Sequence, residues 1–146
     1  MSKTLYKKVQ ELSDIERGYI AGIIDGEGTI TLSVKQKGGT RHLAVTVSGT
    51  EMALIGYLLK VTGVGRITRK KIYKEHHKPS YTYAVYSRQA IDLLEQITPY
   101  LKTYKIKRAK LALKDYVAVT PRNGRYTEAM KKKKEKFVVK FLAILP

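Results

Sequence analysis

The sequence contains no cysteine, and only 12 of its 146 residues are acidic. The lack of cysteine rules out disulfides, thiolate zinc sites and cysteine nucleophiles, and it makes redox chemistry a poor candidate for the function. No apolar run approaches the roughly 18 residues of a membrane span, and the N-terminal stretch MSKTLYKKVQ does not resemble a signal peptide. We therefore expect a soluble, intracellular protein with no membrane partner.

Positive charge dominates the composition. There are 29 lysines and arginines, which gives a net charge of +17. Self-repulsion on this scale in a small protein indicates a polyanionic partner, and nucleic acid is the first candidate. Charge alone leaves three classes open: a nuclease, a passive nucleic-acid binder such as a ribosomal or architectural protein, and a protein held at an anionic membrane. The membrane class is the weakest, because the lysines are spread over the chain instead of lying on one amphipathic helix.

Changes of hydrophobic period mark the predicted elements. Ser13 and Glu16 have the spacing of a capping box, which predicts a helix that runs to about Gly26. Apolar and polar residues then alternate over residues 29–37 and again over 42–48, with a Gly-Gly pair between them. This pattern predicts two antiparallel strands joined by a tight turn.

The helix and hairpin unit then repeats. Thr50 is predicted to cap a second helix that ends before Gly63, and a third strand follows Gly65. A fourth strand is predicted across 81–86, but tyrosines on both of its faces leave its parity open. Three more helices are predicted over about 88–97, 103–119 and 127–145. The last of these is predicted to place Met130, Phe137, Val138, Phe141 and Leu145 on one apolar side.

The element order predicts an α+β fold in a single domain over 1–146, with a core at about 13–119 and a C-terminal helix at about 127–145. A four-stranded antiparallel sheet that carries helices on one face leaves the other face open. The residues that we expect to bind DNA there are Thr31, Ser33, Lys35, Lys37, Arg41, Thr46, Ser48, Arg66, Thr68 and Lys70. An open, basic sheet of this kind suits a groove of double-stranded DNA.

Residues 20–28 read I-A-G-I-I-D-G-E-G, directly after a tyrosine and directly before the first strand pattern. This nonapeptide resembles the motif after which the LAGLIDADG endonucleases are named. The segments Gly63-Val64-Gly65 and Pro99-Tyr100-Leu101 are also similar to the family, so the resemblance covers about residues 13–115.

The resemblance implies an αββαββα fold, here with extra C-terminal helices. It also implies a homing endonuclease, encoded in an intron or intein, that makes a metal-dependent double-strand break in a long, roughly palindromic target. Such a protein would act in the cytoplasm or in an organelle, wherever its DNA lies.

Only one copy of the motif is present, and single-copy chains of this family are dimers. One side of the predicted motif helix carries isoleucines that can cover the sheet, whereas small residues leave another side nearly bare, so two backbones can approach closely. A homodimer with a two-fold helix pair is therefore expected, the alternative being a glycine-tolerant buried helix. The residues expected at this interface are Ala21, Gly22, Asp25 and Gly26, of which Asp25 is included because of the family resemblance alone.

Glu27 lies just past the end of the predicted motif helix, where the helix dipole contributes partial negative charge and favours a nearby cation. By resemblance, Glu27 holds the place of the family's metal-binding acid. Two copies of Glu27 together with phosphate oxygens would suit Mg²⁺ or another divalent cation such as Mn²⁺. The resemblance thus implies a catalytic, metal-binding role for Glu27.

The resemblance also implies a catalytic lysine shortly after Pro99. The stretch P-Y-L-K-T-Y-K-I-K-R-A offers three candidates, Lys102, Lys105 and Lys107. Counting back from the alanine at its end selects Lys105, whereas counting forward from the proline gives Tyr104. We favour Lys105 and keep the other two lysines as alternatives.

Other charged features are less specific. His76 and His77 are adjacent in a lysine-rich loop, which is a poor arrangement for binding a metal ion, so we expect them in solvent or near phosphate. The run Lys131–Lys134 indicates a soluble helix face or, as an even alternative, a phosphate contact.

An alternative function keeps the fold without cleavage, as a LAGLIDADG-like DNA-binding regulator or an RNA maturase. The intact Glu27 argues against a regulator that has lost its acids. A passive RNA-binding protein does not explain a bare helix face that ends in a carboxylate.

Overall fold

The computed structural model describes residues 6–70 and 78–146, and it confirms the predicted α+β order of elements. The helices and strands are α1 (Asp14–Glu27), β1 (Gly28–Val34), β2 (Arg41–Gly49), α2 (Met52–Thr62), β3 (Arg66–Lys70), β4 (Ser80–Tyr86), α3 (Ser87–Ile97), α4 (Lys105–Asp115) and α5 (Glu128–Leu142). Single 3₁₀ turns at Thr98–Tyr100 and Val117–Val119 flank α4. None of the helices in the described residues is long and apolar enough to span a membrane.

The four strands form one antiparallel sheet with the order β1-β2-β4-β3. Ile30, Val45 and Val85 share a row across three neighbouring strands, and each is at most 1% exposed. Because side chains alternate between faces along a strand, this row defines the face that packs against the helices. We call the opposite face, which no helix covers among the described residues, the outer face.

Helix α1 begins at the predicted capping box. The Oγ of Ser13 accepts from the backbone N–H of Glu16 at 3.1 Å, and the Glu16 carboxylate accepts from the Ser13 N–H at 2.8 Å. The helix ends at Gly28, where a Cβ would lie 2.7 Å from the Cα of Ile24, so only glycine fits this close approach. Strand β1 starts at the same residue without a loop, which fixes Glu27 at the edge of the sheet.

Several predicted boundaries differ from the structure. Strand β1 ends at Val34 instead of residue 37, because residues 35–40 form the turn. Thr50 is not the cap of α2: strand β2 extends to Gly49, and Glu51 occupies the N-cap position without a side-chain hydrogen bond within the described residues. The prediction of a Thr50 cap was therefore wrong.

Strand β4, whose parity the sequence left open, buries Tyr83 on the helix side and places Tyr86 on the outer face. The Tyr83 hydroxyl donates to the carbonyl of Val64 at 2.8 Å and lies 2.9 Å from the Oγ1 of Thr62. A tyrosine buried to 1% exposure needs such a partner for its hydroxyl. These two contacts satisfy the hydroxyl of Tyr83 on the helix side.

Helix α5 buries Phe137 and Phe141, as predicted, but the apolar side does not continue to Leu145, which follows the helix and is 67% exposed. The run of four lysines is also not uniform. Lys134 is only 5% exposed, and its Nζ donates to the Oγ1 of Thr120 and lies 4.5 Å from the centroid of the Tyr116 ring. The expectation of a solvated lysine face was wrong at this position.

Candidate active site and nucleic-acid interface

The outer face of the sheet is polar and basic. The register aligns Thr29, Thr46, Ala84 and Arg66 in one row across all four strands. The predicted DNA-binding residues that share this face are Thr31, Ser33, Thr46, Ser48, Arg66, Thr68 and Lys70. No strand residue assigned to this face in the described sheet is acidic. The face therefore presents hydroxyl and cationic groups to a polyanion.

Lys35 and Lys37 lie in the turn after β1, beyond the strand that was predicted to carry them. The Nζ of Lys35 is 6.0 Å from the ring centroid of Tyr86, which places this amine on the outer-face side. Arg41 is a correction. It pairs with Val34, whose side chain points to the helix side, and its guanidinium donates to the Leu32 carbonyl at 2.9 Å. Charge suggested Arg41, but the period of two along β2 already assigns it to the opposite face.

Strand β4 also contributes to the outer face, although the sequence left its parity open. Thr82, Ala84 and Tyr86 lie there, and the Oγ1 of Thr82 is 2.7 Å from the Oγ of Ser48 on the neighbouring strand. The tyrosines at 81, 83 and 86 obscured the alternation. The register with β2 places Tyr81 and Tyr83 on the helix side and Tyr86 on the outer face.

Glu27 is the last residue of α1 and is exposed beside the first residue of β1. Within residues 6–70 and 78–146, its carboxylate has no hydrogen bond or ion pair. In the same residues, no cluster of three or more His, Cys, Asp or Glu side chains is placed to hold a metal ion. One chain thus offers a single free carboxylate at this point of the surface.

Lys105, the favoured second catalytic residue, lies at the same end of α1. Its Nζ donates to the carbonyls of Ile24 at 2.8 Å and Asp25 at 2.9 Å, and the residue is 9% exposed. Burial lowers the pKa of the Lys105 amine, and the negative charge of Asp25 partly opposes this effect. The alternative candidates Lys102 and Lys107 are both exposed.

Asp25 is engaged within the chain. Its carboxylate accepts from the N–H of Lys102 at 2.8 Å, the N–H of Thr103 at 3.2 Å and the hydroxyl of Thr103 at 2.6 Å. Burial opposes ionisation of Asp25, but these hydrogen bonds and the charge of Lys105 outweigh it and lower the pKa of the carboxyl group. Asp25 therefore fastens the segment that leads into α4, and with it Lys105, to α1. Its expected place at a helix pair stays a prediction.

The exposed stripe of α1 differs in part from the predicted one. Gly22 and Gly26 face open space, because a Cβ at either position would meet no atom within 4 Å. Ile15 is 85% exposed and Tyr19 is 52% exposed, and their spacing places them on the same side of the helix as the two glycines. Ala21 was predicted at the dimer interface, but it is 0% exposed and packs in the core of its own chain.

The comparisons with known proteins agree with this architecture. The family model described as LAGLIDADG endonuclease matches residues 20–120. The homing endonuclease I-CvuI, in complex with the I-CreI target, superposes with a TM-score of 0.71 at 19% identity, over 90% of this chain and 82% of that chain. The archaeal intron-encoded homing endonuclease I-Vdi141I, complexed with DNA, gives a TM-score of 0.58 at 17% identity, over 91% and 86%.

The LAGLIDADG homing endonuclease I-LtrWI, bound to target DNA, gives a TM-score of 0.59 at 21% identity, over 94% of this chain and 47% of that chain. A comparison with curated proteins gives no match to this chain. At these identities the superpositions establish the fold, and the family model covers more than half of the sequence. The chain belongs to the LAGLIDADG endonuclease family.

Proposed function

We propose that this protein is a site-specific DNA endonuclease that acts as a homodimer and cuts both strands of a long, roughly palindromic target. The observation that carries the proposal is Glu27, an exposed and unengaged carboxylate within the described residues, at the edge of a basic sheet face. The structural relatives I-CvuI and I-Vdi141I were both solved in complex with DNA. An intron or intein as the source of the chain is part of the same proposal.

Two features support a homodimer: a single chain offers too few metal-binding carboxylates, and one stripe of α1 is uncovered. One Glu27 supplies one carboxylate, and the part of the chain that the structure describes offers no cluster of further metal-binding side chains. The stripe of Ile15, Tyr19, Gly22 and Gly26 gives α1 an apolar edge and a bare backbone surface that a second copy can cover. A two-fold axis along this stripe brings both copies of Glu27 together at one point beneath the DNA.

A divalent cation fits the donor set. Glu27 offers a free carboxylate, and phosphate oxygens are the other ligands that Mg²⁺ prefers. Mg²⁺, or another divalent cation such as Mn²⁺, would supply water activation and leaving-group stabilisation. Structures of I-CvuI with DNA were determined in the presence of magnesium and of calcium.

Lys105 is proposed as the second catalytic residue. Its amine is held by two carbonyls at the end of α1, so its place beside the Glu27 end of the helix is fixed by the fold. Burial lowers the pKa of this amine, so it loses its proton more readily than the amine of an exposed lysine. Asp25 acts as a positioning residue, because it anchors the turn that carries Lys105.

The outer face is proposed to lie along the major groove, which accepts a two-stranded β-ribbon. Strand β1 spans seven residues, so at about 3.3 Å per residue it runs roughly 20 Å away from Glu27. That length corresponds to about six base pairs, at ~3.4 Å per nucleotide along one strand. Each subunit thus has enough surface to recognise one half of a palindrome.

The decisive experiment is Glu27→Gln, which keeps the size of the side chain and removes its charge. Cleavage of a target duplex in Mg²⁺ should fall by orders of magnitude, while DNA binding persists. The target is first selected from a plasmid library with the wild-type protein. Glu27→Asp is the matched control and should retain activity, because it keeps the carboxylate. If Glu27→Gln cuts at the wild-type rate, the metal-site assignment is wrong. A wild-type protein that binds DNA and never cuts it would favour the regulator or maturase alternative.

A further inference from the structure

A cationic pocket lies at the end of the sheet farthest from Glu27. It has a volume of about 490 Å³ and is enclosed by the turn between β1 and β2, the start of α3 and the loop over 120–126. Its basic lining residues are Lys35, Arg88, Arg122 and His42, and its one other titratable lining residue among those described is Tyr126. No Asp or Glu is among the described residues that line it. A pocket with this lining attracts an anion.

None of the basic residues that line the pocket forms an ion pair with a carboxylate of the described residues. The two ion pairs found in residues 6–70 and 78–146 are Arg17–Glu11 and Lys131–Glu128, and neither involves a pocket residue. Burial lowers the pKa of His42, and the charges of Lys35 and Lys134 lower it further. Like charges held this close are unfavourable until an anion compensates them.

The loop that forms one wall of the pocket is fixed in place. Arg88 donates to the carbonyl of Thr120 at 2.9 Å, and Lys134 donates to the hydroxyl of the same residue. The N–H of Arg125 donates to the Asn123 side chain at 2.9 Å and closes a local turn. The wall is therefore preorganised, which favours binding because little ordering remains to be done.

The start of α3 contributes a second attraction for an anion. Ser87 lines the pocket as the first residue of this helix, and no side chain among the described residues caps the helix N-terminus. Its uncapped N–H groups carry partial positive charge. Ser87 also has a φ of +53°, which is unfavourable for a residue with a Cβ.

The pocket borders the outer face. His42 pairs with Ser33 in the last polar row of the face, and Tyr86 and Lys35 lie next to it. A DNA strand that follows the outer face from Glu27 reaches this row after roughly 20 Å. The pocket is thus placed at the outer end of one half-site, to the side of the residues that face the groove.

We propose that this pocket binds one backbone phosphate of the target duplex, about six nucleotides from the cut in each half-site. The assignment rests on one part of the proposed function, the binding of target DNA, and not on cleavage. A phosphate fits better than a base edge, because the lining offers guanidinium groups and helix N–H groups, which are suited to charged oxygens. The phosphate fixes the register of the protein on DNA, while the outer face reads the bases.

The test is Arg122→Gln, with Arg125→Gln as the matched control. Both arginines are exposed in the same loop, but only Arg122 lines the pocket. A set of target duplexes, each with one neutral methylphosphonate, locates the phosphates on which affinity depends. A methylphosphonate at one distal position should weaken the binding of the wild type and of Arg125→Gln. The same methylphosphonate should leave the affinity of Arg122→Gln unchanged. The slope of log K against log salt should fall by about 0.9 per lost phosphate contact, hence by about 1.8 per dimer.

The cleavage rate with saturating protein separates this inference from the proposed function. The control variant Arg125→Gln should cleave bound DNA at the wild-type rate, because Arg125 does not line the pocket. If no protein cuts but the distal dependence is lost only in Arg122→Gln, the pocket assignment stands and the endonuclease proposal fails. If the two variants have the same methylphosphonate profile, the assignment is overturned. A second outcome would also overturn the phosphate assignment. Inorganic phosphate alone would shift the His42 NMR signals, while no duplex would lose affinity when a distal phosphate is replaced by methylphosphonate. The pocket would then bind a free anion and not the DNA backbone.

Discussion

Lys105 and Lys134 are the two buried lysines of the described residues, and neither forms an ion pair there. Burial lowers the pKa of both amines. Lys105 faces carbonyl groups at the end of α1 that carries Glu27, whereas Lys134 lies against the ring of Tyr116 and Thr120. The same physical effect therefore serves a proposed catalytic group in one case and a structural contact in the other.

Replacing Lys105 by Met should slow cleavage by roughly 10²- to 10⁴-fold, the range for loss of a proton-transfer group. Lys102→Met and Lys107→Met are exposed controls in the same segment, and each should cut within a few-fold of the wild type. Single-turnover cleavage of saturated DNA measures the chemical step, and circular dichroism confirms that the variants fold. Equal rates for the three variants would refute the choice of Lys105.

Lys134 makes the stability of the fold depend on pH. Burial, with a smaller effect of the Arg88 charge, lowers its pKa from 10.5 to about 8. Between these two values the unfolded chain binds more protons than the folded chain, so the contribution to folding improves as pH rises from 8 towards 10.5. The penalty is fully present below pH 8. Lys134→Met removes the cost of burying the charged amine. The free energy of unfolding of the wild type, relative to that of Lys134→Met, should therefore rise by about 2 kcal/mol between pH 8 and pH 10.5, after allowance for solvent screening.

Urea unfolding at pH 7.5 and pH 10 measures this difference. Lys131→Met, an exposed neighbour on α5, is the control and should show no pH-dependent difference from the wild type. A flat difference for Lys134→Met across the same window would mean that its amine is solvated.

At the scale of elements, the sequence predicted those helices and strands whose formation depends on residues close together in the chain. The capping box at Ser13 and the alternation along β1 are local signals of this kind, and both predicted their elements. The signals that were missed are contacts of buried side chains: Tyr83 donates to Val64, and Lys134 donates to Thr120. These contacts join residues far apart in the chain, so no local pattern contains them.

The same distinction holds for the candidate site. The motif indicated Glu27 and Lys105, but it did not show that Asp25 ties their elements together, because its partners lie 77 and 78 residues away in sequence. Charge suggested Arg41, which the register places on the helix side. Parity along a strand is a better guide to a binding face than charge.

The register of β3 supplies a matched pair of arginines. Arg66 lies on the outer face in the row of Thr46, whereas Arg69 aligns with Tyr81 on the helix side. Both arginines are exposed, and each change to Gln removes one positive charge, so the two variants differ mainly in the face of the sheet that they alter. Arg66→Gln should weaken target binding by about 1 to 3 kcal/mol and relax the preference at one base position. Binding measured against a set of single-base variants tests this, and equal losses from both variants would mean that the outer face does not read DNA bases.

At the scale of the whole molecule, three features are incomplete in one chain. Glu27 is a single carboxylate, and α1 leaves an apolar and glycine stripe uncovered among the described residues. By the length of β1, the outer face would span one half of the palindromic target in the proposed function. A two-fold partner along α1 completes all three at once. The dimer is thus the simplest arrangement that gives each feature a use, and Gly22 offers a direct test of it.

Gly22→Ala should have opposite effects on the stability of the single chain and on the association of two chains. In the single chain, a Cβ at Gly22 meets no atom within 4 Å, so alanine should favour helix α1 by about 0.5 to 1 kcal/mol. Across a closely packed two-fold helix pair, the added methyl groups should cost about 1 to 3 kcal/mol, which raises the dimer Kd by about 5- to 150-fold. Gly56→Ala in α2 is the control: its Cβ would lie 3.8 Å from Met52, an ordinary contact, so association should not change. Sedimentation equilibrium of the three proteins, with and without target DNA, measures these constants. A wild type that stays monomeric in both conditions, or a Gly22→Ala variant that associates as tightly as the wild type, would contradict the helix pair.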